Sequence, residues 1–244
     1  MDGHGEFGHL VADYVKVNLP PLLEQEDIRA DPCAAILSSI KKLTTSLQTT
    51  GININFSGTT AILGLKVDDM LYVANIGDSR CVLARKSQNG EFLEAVPLST
   101  DHKPDVPTER ARILAAGGRV CPLPGPEDED RGPDRVWLEK VDVPGLAMSR
   151  SIGDDVSQQV GVISVPEITQ YRITNNDLFA IWASDGVWEF VSNEDAVATV
   201  AQQLPNLGDA TRALVALSNQ MWKQHEEVVD DITTVIVQFN VVGE

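Results

Sequence analysis

The spacing of apolar residues changes along the chain, and those changes mark out its elements. Phe7, Leu10, Val11, Tyr14 and Val15 recur at helical spacing, which predicts a helix after Gly5 that ends before Pro20-Pro21. Asp31-Pro32 reads as a cap followed by a proline at the first helical position. The helix it opens has a buried stripe of Ile36, Leu37, Ile40, Leu43 and Leu47 and stops at Gly51. The texture then changes. Residues 57–67, 70–76, 81–86 and 91–97 read as successive strands, turned at Asp68-Asp69, Gly77-Asp78 and Asn89-Gly90, and so form an antiparallel meander. A short helix at 107–116 ends at Gly117-Gly118. Residues 121–134 hold four prolines, two glycines and the acidic run 127–130, which predicts a mobile surface loop with solvated charges. More strand is expected at 136–138 and 161–173. Ser192 caps a helix over 193–204, Asp209 caps another to about His225, and a last strand covers 232–241.

Strand runs with helix pairs at both ends do not alternate as βαβ. The expected class is therefore α+β: an antiparallel β-sandwich flanked by helices, in a single domain spanning 1–244. With 43% hydrophobic residues the chain can bury a full core. A formal charge of −17 argues against nucleic acid or an anionic membrane as partner. Bound metals would still let an acidic protein hold phosphate. Cys33, Cys81 and Cys121 form no CxxC pair and read as reduced structural thiols. No apolar run approaches the roughly 18 residues of a membrane span. Met1 runs directly into Asp2-Gly3-His4-Gly5 with no signal peptide, so the expectation is an intracellular monomer, cytoplasmic or nuclear.

The chemistry collects at strand ends. The apolar run Leu178-Phe179-Ala180-Ile181-Trp182 is followed almost at once by Asp185-Gly186. A carboxylate there is costly unless it is solvated, paired or bound to a cation. Asp2-Gly3-His4-Gly5 at the start and Asp230-Asp231 before a late apolar strand repeat the arrangement. Carboxylates far apart in sequence at strand ends suggest one oxygen-ligand site suited to Mg²⁺ or Mn²⁺. Singly, each motif is weak. Asp-Gly is usually a turn, and Asp78 in Gly77-Asp78-Ser79-Arg80 could sit in a hairpin paired with its own arginine.

In combination and order the motifs are specific. They are Asp2-Gly3-His4-Gly5, Ser57-Gly58-Thr59-Thr60-Ala61, Ala74-Asn75-Ile76-Gly77-Asp78-Ser79-Arg80, Asp101-His102-Lys103-Pro104, Leu146 to Asp154, Ala183-Ser184-Asp185-Gly186-Val187-Trp188 and Asp230-Asp231-Ile232-Thr233. Glu109-Arg110 followed by Ala116-Gly117-Gly118 also fits. Across nearly the whole chain this order resembles the PPM family, the metal-dependent protein phosphatases of the 2C type. The resemblance implies a serine/threonine phosphatase acting on phosphoproteins, with two Mg²⁺ or Mn²⁺ ions and a third, weaker site. It implies that Asp2 bridges both metals, that Gly3 offers its carbonyl to the second, and that Asp185 and Asp230 complete the first. Asp78 would help hold the third, a site put in doubt by Glu189 where the family often has Asp. His4 would be the general acid. Two divalent ions about 3.5–4 Å apart neutralise a phosphate dianion and activate a water, and an imidazole can protonate the leaving group. Arg150 is a candidate for substrate phosphate, or for an ion pair with Asp154 or Asp155. No Cys-x₅-Arg loop appears, which disfavours a cysteine-dependent phosphatase.

The family's pattern also has an arginine and a glutamate on strands upstream of Asp-Gly-His-Gly, and this chain has no residues there. The domain is therefore read as N-terminally truncated. With every downstream metal position intact, a fragment of a normal enzyme is the expectation. The alternative is a catalytically weak or inactive phosphoprotein-binding module.

Overall fold

The computed structural model describes residues 1–126 and 131–239. In chain order the elements begin with β1 (Gly3–His4), α1 (Gly8–Glu24), α2 (Pro32–Leu47), β2 (Gly58–Thr59), β3 (Ala61–Val67), β4 (Met70–Ile76), β5 (Arg80–Lys86) and β6 (Leu93–Pro97). Then come α3 (Pro107–Ala115), β7 (Arg119–Cys121), β8 (Arg135–Trp137), β9 (Pro144–Leu146), β10 (Ile152–Gly153) and α4 (Asp155–Gln158). The last are β11 (Glu167–Arg172), β12 (Asp177–Ala183), α5 (Asp185–Trp188), α6 (Asn193–Ala201), α7 (Leu207–His225) and β13 (Thr234–Gln238). The chain divides into two compact units: Met1–Ala61, Ile76–Asp78 and Asp101–Pro166 form one, and Ile62–Asn75, Ser79–Thr100 and the residues from Glu167 onward form the other.

The second unit is the sandwich. One sheet runs β11-β4-β3 and the other β13-β12-β5-β6. The ladders β11–β4, β12–β13, β12–β5 and β5–β6 are antiparallel. Strand alternation sends Cys81, Leu83, Ala180 and Trp182 to one face of the larger sheet, where they pack with Leu71 and Val73 of β4. The alternate residues Val82, Ala84, Phe179, Ile181 and Ala183 face the helices and meet Val187, Trp188, Val197, Val200 and Leu214. The result is sheet on sheet with helices outside, the α+β sandwich expected.

The first unit pairs α1 with α2, tied by Tyr14 Oη donating to Ser46 Oγ at 2.9 Å. A three-stranded sheet β7-β8-β9 shares a core with α3 through Ile113, Val120, Val136, Leu146 and Met148. The small sheet β1-β2-β10 positions the chemistry described below.

Several local expectations are corrected. Helix α1 runs through Pro20 and Pro21 instead of ending before them, because Val11, Val15, Leu19 and Leu23 make one buried stripe whose packing outweighs the lost backbone bonds. Asp31 does cap α2, accepting from Ala34 N at 3.0 Å, but Leu37 falls off the buried stripe and is 43% exposed. The cap of α7 is Asn206, which accepts from Asp209 N at 3.1 Å, with Asp209 in the first turn. Strand β9 was not expected, since Pro144-Gly145-Leu146 lacks a strand signature; it lies at a sheet edge, where proline is tolerated. The stretch 161–173 is strand only at Glu167–Arg172. The acidic run 127–130 and the end of the last expected strand lie outside the described residues. Among the described residues Cys33, Cys81 and Cys121 form no disulfide. Among the described residues no helix is long and apolar enough to cross a membrane.

Candidate active site

In the first unit, β2 lies between β1 and β10, and the register aligns Gly3, Thr59 and Ile152 in one row and His4, Gly58 and Gly153 in the next. Asp2 extends this ladder. Thr60 N and Thr59 Oγ1 both donate to the Asp2 carbonyl at 2.9 Å, and Asp2 N donates to Thr60 Oγ1 at 3.1 Å. Two residues apart on an extended segment, Asp2 and His4 share a face. Gly58 sits under the row that carries His4. A Cβ on Gly58 would lie 2.2 Å from Asp154 Oδ2 and 2.9 Å from His4 Nε2, so only glycine lets the two side chains meet over the central strand. They meet at 2.6 Å, His4 Nε2 to Asp154 Oδ2. Ser151 Oγ donates to the same oxygen at 2.6 Å. Burial works against the charged imidazole. The Asp154 hydrogen bond and charge, with the charges of Asp78 and Asp2, outweigh it and raise the His4 pKa.

Asp78 is 2% exposed. Lys103 Nζ donates to its Oδ2 at 2.8 Å. Within the second unit, Arg80 Nη1 bonds Asn193 Oδ1 at 2.8 Å, and its guanidinium stands 5.4 Å over the Trp188 ring. The neighbouring His102 is buried, and Gly77 N donates to its Nδ1 at 3.2 Å. Burial, with the nearby Arg150 charge, pushes its pKa down to about 4.

Arg150 has neither of the two carboxylate partners weighed from the sequence. Its Nε and Nη2 grip the buried Glu109 at 3.1 and 2.7 Å, and its Nη1 donates to the Val165 carbonyl at 2.9 Å. Arg112 Nη2 and Ser149 Oγ add two more bonds to Glu109, each 2.7 Å. Burial disfavours the Glu109 carboxylate, but these donors outweigh it and hold the group well below the usual carboxylate range. Glu109 thus anchors the segment between β9 and α4. Its place in the fold was legible only as a motif fragment.

The second unit brings the Asp185 and Asp230 segments together. Asp185 opens α5, directly after β12. Ser184 Oγ donates to the Asp231 carbonyl at 3.2 Å and accepts from Thr233 N at 3.1 Å, and Ser184 N donates to the Thr233 carbonyl at 3.0 Å. A Cβ on Gly186 would sit 2.2 Å from the Asp231 carbonyl oxygen, so glycine there permits the close approach. Glu189, one turn on, is exposed.

The donors the sequence singled out are hard oxygens: the Asp2 and Asp78 carboxylates and the Gly3 carbonyl in one unit, Asp185 and Asp230 in the other. Each set by itself has oxygens of the kind a hard divalent cation takes. Among the described residues no three of His, Cys, Asp and Glu form a compact metal-holding group.

The family model for protein phosphatase 2C matches residues 1–227. Probable protein phosphatase 2C 72 of Arabidopsis thaliana is 36% identical over 249 residues, covering 96% of this chain and 74% of that protein. Probable protein phosphatase 2C 64 of Oryza sativa subsp. japonica is 43% identical over 231 residues, covering 91% of this chain; the match takes in about half, 53%, of that protein. The crystal structure of serine-threonine phosphatase 2C from Toxoplasma gondii superposes with a TM-score of 0.83 at 22% identity, over 98% of this chain and 83% of that one, which is a likeness of fold. The chain belongs to the protein phosphatase 2C family.

Proposed function

We propose that this chain hydrolyses phosphoserine and phosphothreonine esters of proteins, with Mg²⁺ or Mn²⁺ as cofactor. The observation that carries the reading is that Asp2 and His4 lie two residues apart on one extended segment, with the imidazole fixed against a buried carboxylate. Asp2, the Gly3 carbonyl, Asp185 and Asp230 are the residues to hold two cations, with Asp78 as a further oxygen donor. Divalent ions bound there neutralise the phosphate dianion and make water nucleophilic near neutral pH. His4 keeps a proton for the departing seryl or threonyl oxygen. The Asp2 backbone, fixed by three hydrogen bonds to Thr59 and Thr60, orients its carboxylate. Arg150 has no part in this reading, since its guanidinium is engaged with Glu109 and Val165.

The test is hydrolysis of a phosphothreonine peptide and of p-nitrophenyl phosphate with and without added Mn²⁺ or Mg²⁺. Turnover that depends on the cation and is abolished by EDTA is expected. Full turnover in EDTA, or none on either substrate with Mn²⁺ present, refutes the proposal.

A further inference from the structure

We propose that Asp154 is the positioning residue of His4, holding the imidazole by its Nε2 proton so that the other ring proton is the one delivered to the leaving group. The inference rests on the phosphatase reading above. Three observations carry it. Asp154 is 2% exposed, and its Oδ2 receives both His4 Nε2 and Ser151 Oγ at 2.6 Å. A carboxylate can only accept, so Nε2 must carry a proton in this contact. His4 Nδ1 is buried and makes no hydrogen bond among the described residues, so no protein acceptor there competes for its proton.

The backbone is built around this contact. Asp154 is left-handed, with φ 54° and ψ 49°, a conformation that non-glycine residues adopt at a cost. Asp154 N donates to the Ser57 carbonyl at 3.0 Å, which fixes the residue beside the central strand. Gly58 leaves open the space the pair occupies. A strained turn, a bare central strand and a serine on the same oxygen all direct one carboxylate at one imidazole. A carboxylate serving only to satisfy the loop would need none of them to face His4.

In the step itself, the ester P–O bond breaks as the water oxygen bonds phosphorus. The departing alkoxide takes the Nδ1 proton, which requires the covered Nδ1 edge of the ring to open toward the leaving group. The proton that the attacking water gives up returns to the ring, leaving an alcohol and hydrogen phosphate. Asp154 keeps the Nε2 proton throughout and balances the charge of the imidazolium, so it acts through His4 and touches no substrate.

The test uses Asp154→Asn, Ser151→Ala, His4→Ala and the double variant His4→Ala/Asp154→Asn, all in the full chain with Mn²⁺. Asparagine tolerates the left-handed backbone. Asp154→Asn should lower kcat on the phosphothreonine peptide by about 10- to 100-fold, within reach of the loss of general acid catalysis. The p-nitrophenyl ester needs no proton on its leaving group and should lose less than about 3-fold on the same basis. Mn²⁺ affinity by calorimetry should stay unchanged, and the double variant should be no slower than His4→Ala. Ser151→Ala should show a smaller loss with the same substrate preference, and it answers the question if Asp154→Asn does not fold. Equal losses on both esters, no loss on either, or effects additive with His4→Ala overturn the proposal. Imidazole ¹⁵N shifts of His4 are read in parallel. A proton fixed on Nε2 in the parent and released in Asp154→Asn supports the pair even if the chain turns over neither ester, a result that would defeat the phosphatase reading separately. A Nδ1-protonated neutral ring in the parent overturns the pair itself.

Discussion

Replacing Glu109 by glutamine tests the anchor on which the active segment hangs. The carboxylate side chain is 3% exposed and accepts four hydrogen bonds, two from Arg150 and one each from Arg112 and Ser149. Glutamine keeps the shape but turns one acceptor into an NH₂ group that faces guanidinium donors. With the NH₂ in the place of Oε1, which accepts only from Arg150 Nη2, one charge-assisted bond is lost, worth about 1.5–3 kcal/mol, and the bonds to the other oxygen lose the carboxylate's charge. The Arg150 guanidinium, 14% exposed, is left without its counter-charge. Breaking one side of a buried pair costs about 3–5 kcal/mol, a figure that includes the lost bond. Arg112, 26% exposed, is better solvated and lets the low end apply. At about 2–4 °C per kcal/mol for a chain of this size, the midpoint of thermal unfolding should fall on the order of 10 °C. The pH dependence gives a second check. A carboxyl held below its unfolded value near 4.3 stabilises the fold above that pH, and the gain is lost as pH falls toward the folded value. The gap between parent and variant should therefore be full at pH 7 and shrink below about pH 4. Adding Arg150→Met to Glu109→Gln should recover part of the loss, since it removes the stranded charge. Calorimetric scans of the three proteins decide. A fall of less than about 2 °C for Glu109→Gln at pH 7, or a gap that widens in acid, would refute the reasoning.

Asp185→Asn and Asp230→Asn should each weaken Mn²⁺ binding by titration calorimetry and lower turnover together, because each removes one charged oxygen from the proposed ligand set; an unchanged binding isotherm would exclude that residue as a ligand. His102, with its pKa pushed down to about 4, resists protonation in the folded chain but takes a proton near pH 6.5 when unfolded. Stability should thus fall as pH drops from about 6.5 to 4, and His102→Gln, which can still accept from Gly77 N, should flatten that slope in denaturant titrations. Iodoacetamide should leave cation-dependent turnover intact, because Cys81 is buried with its thiol pushed up by that burial, and the proposed reaction uses no thiol; loss of activity with the fold preserved would count against a metal-activated water.

The sequence by itself determined the class and the long elements. Strand alternation over Arg80–Lys86 and Asp177–Ala183 and the helical stripe of α2 are local periodicities, and burial follows them directly. It also determined the chemistry's alphabet, since carboxylates at strand ends and one histidine in Asp-Gly-His-Gly are legible without coordinates. What it could not determine were the partners. Pro20-Pro21 reads as a helix end from propensity, and only the burial of Leu19 and Leu23 shows why the helix continues. Asp78 reads as a hairpin turn beside Arg80, yet its charge is met by Lys103, 25 residues on. Arg150 reads as a phosphate contact or a neighbour's ion pair, yet Glu109, 41 residues back, claims it. His4 and Asp154 lie 150 residues apart and meet only because a glycine occupies the central strand beneath them. Periodicity is a property of neighbours along the chain, whereas a buried charge takes whichever counter-charge the fold delivers to it, and that choice is made by strand register and backbone clearance in three dimensions.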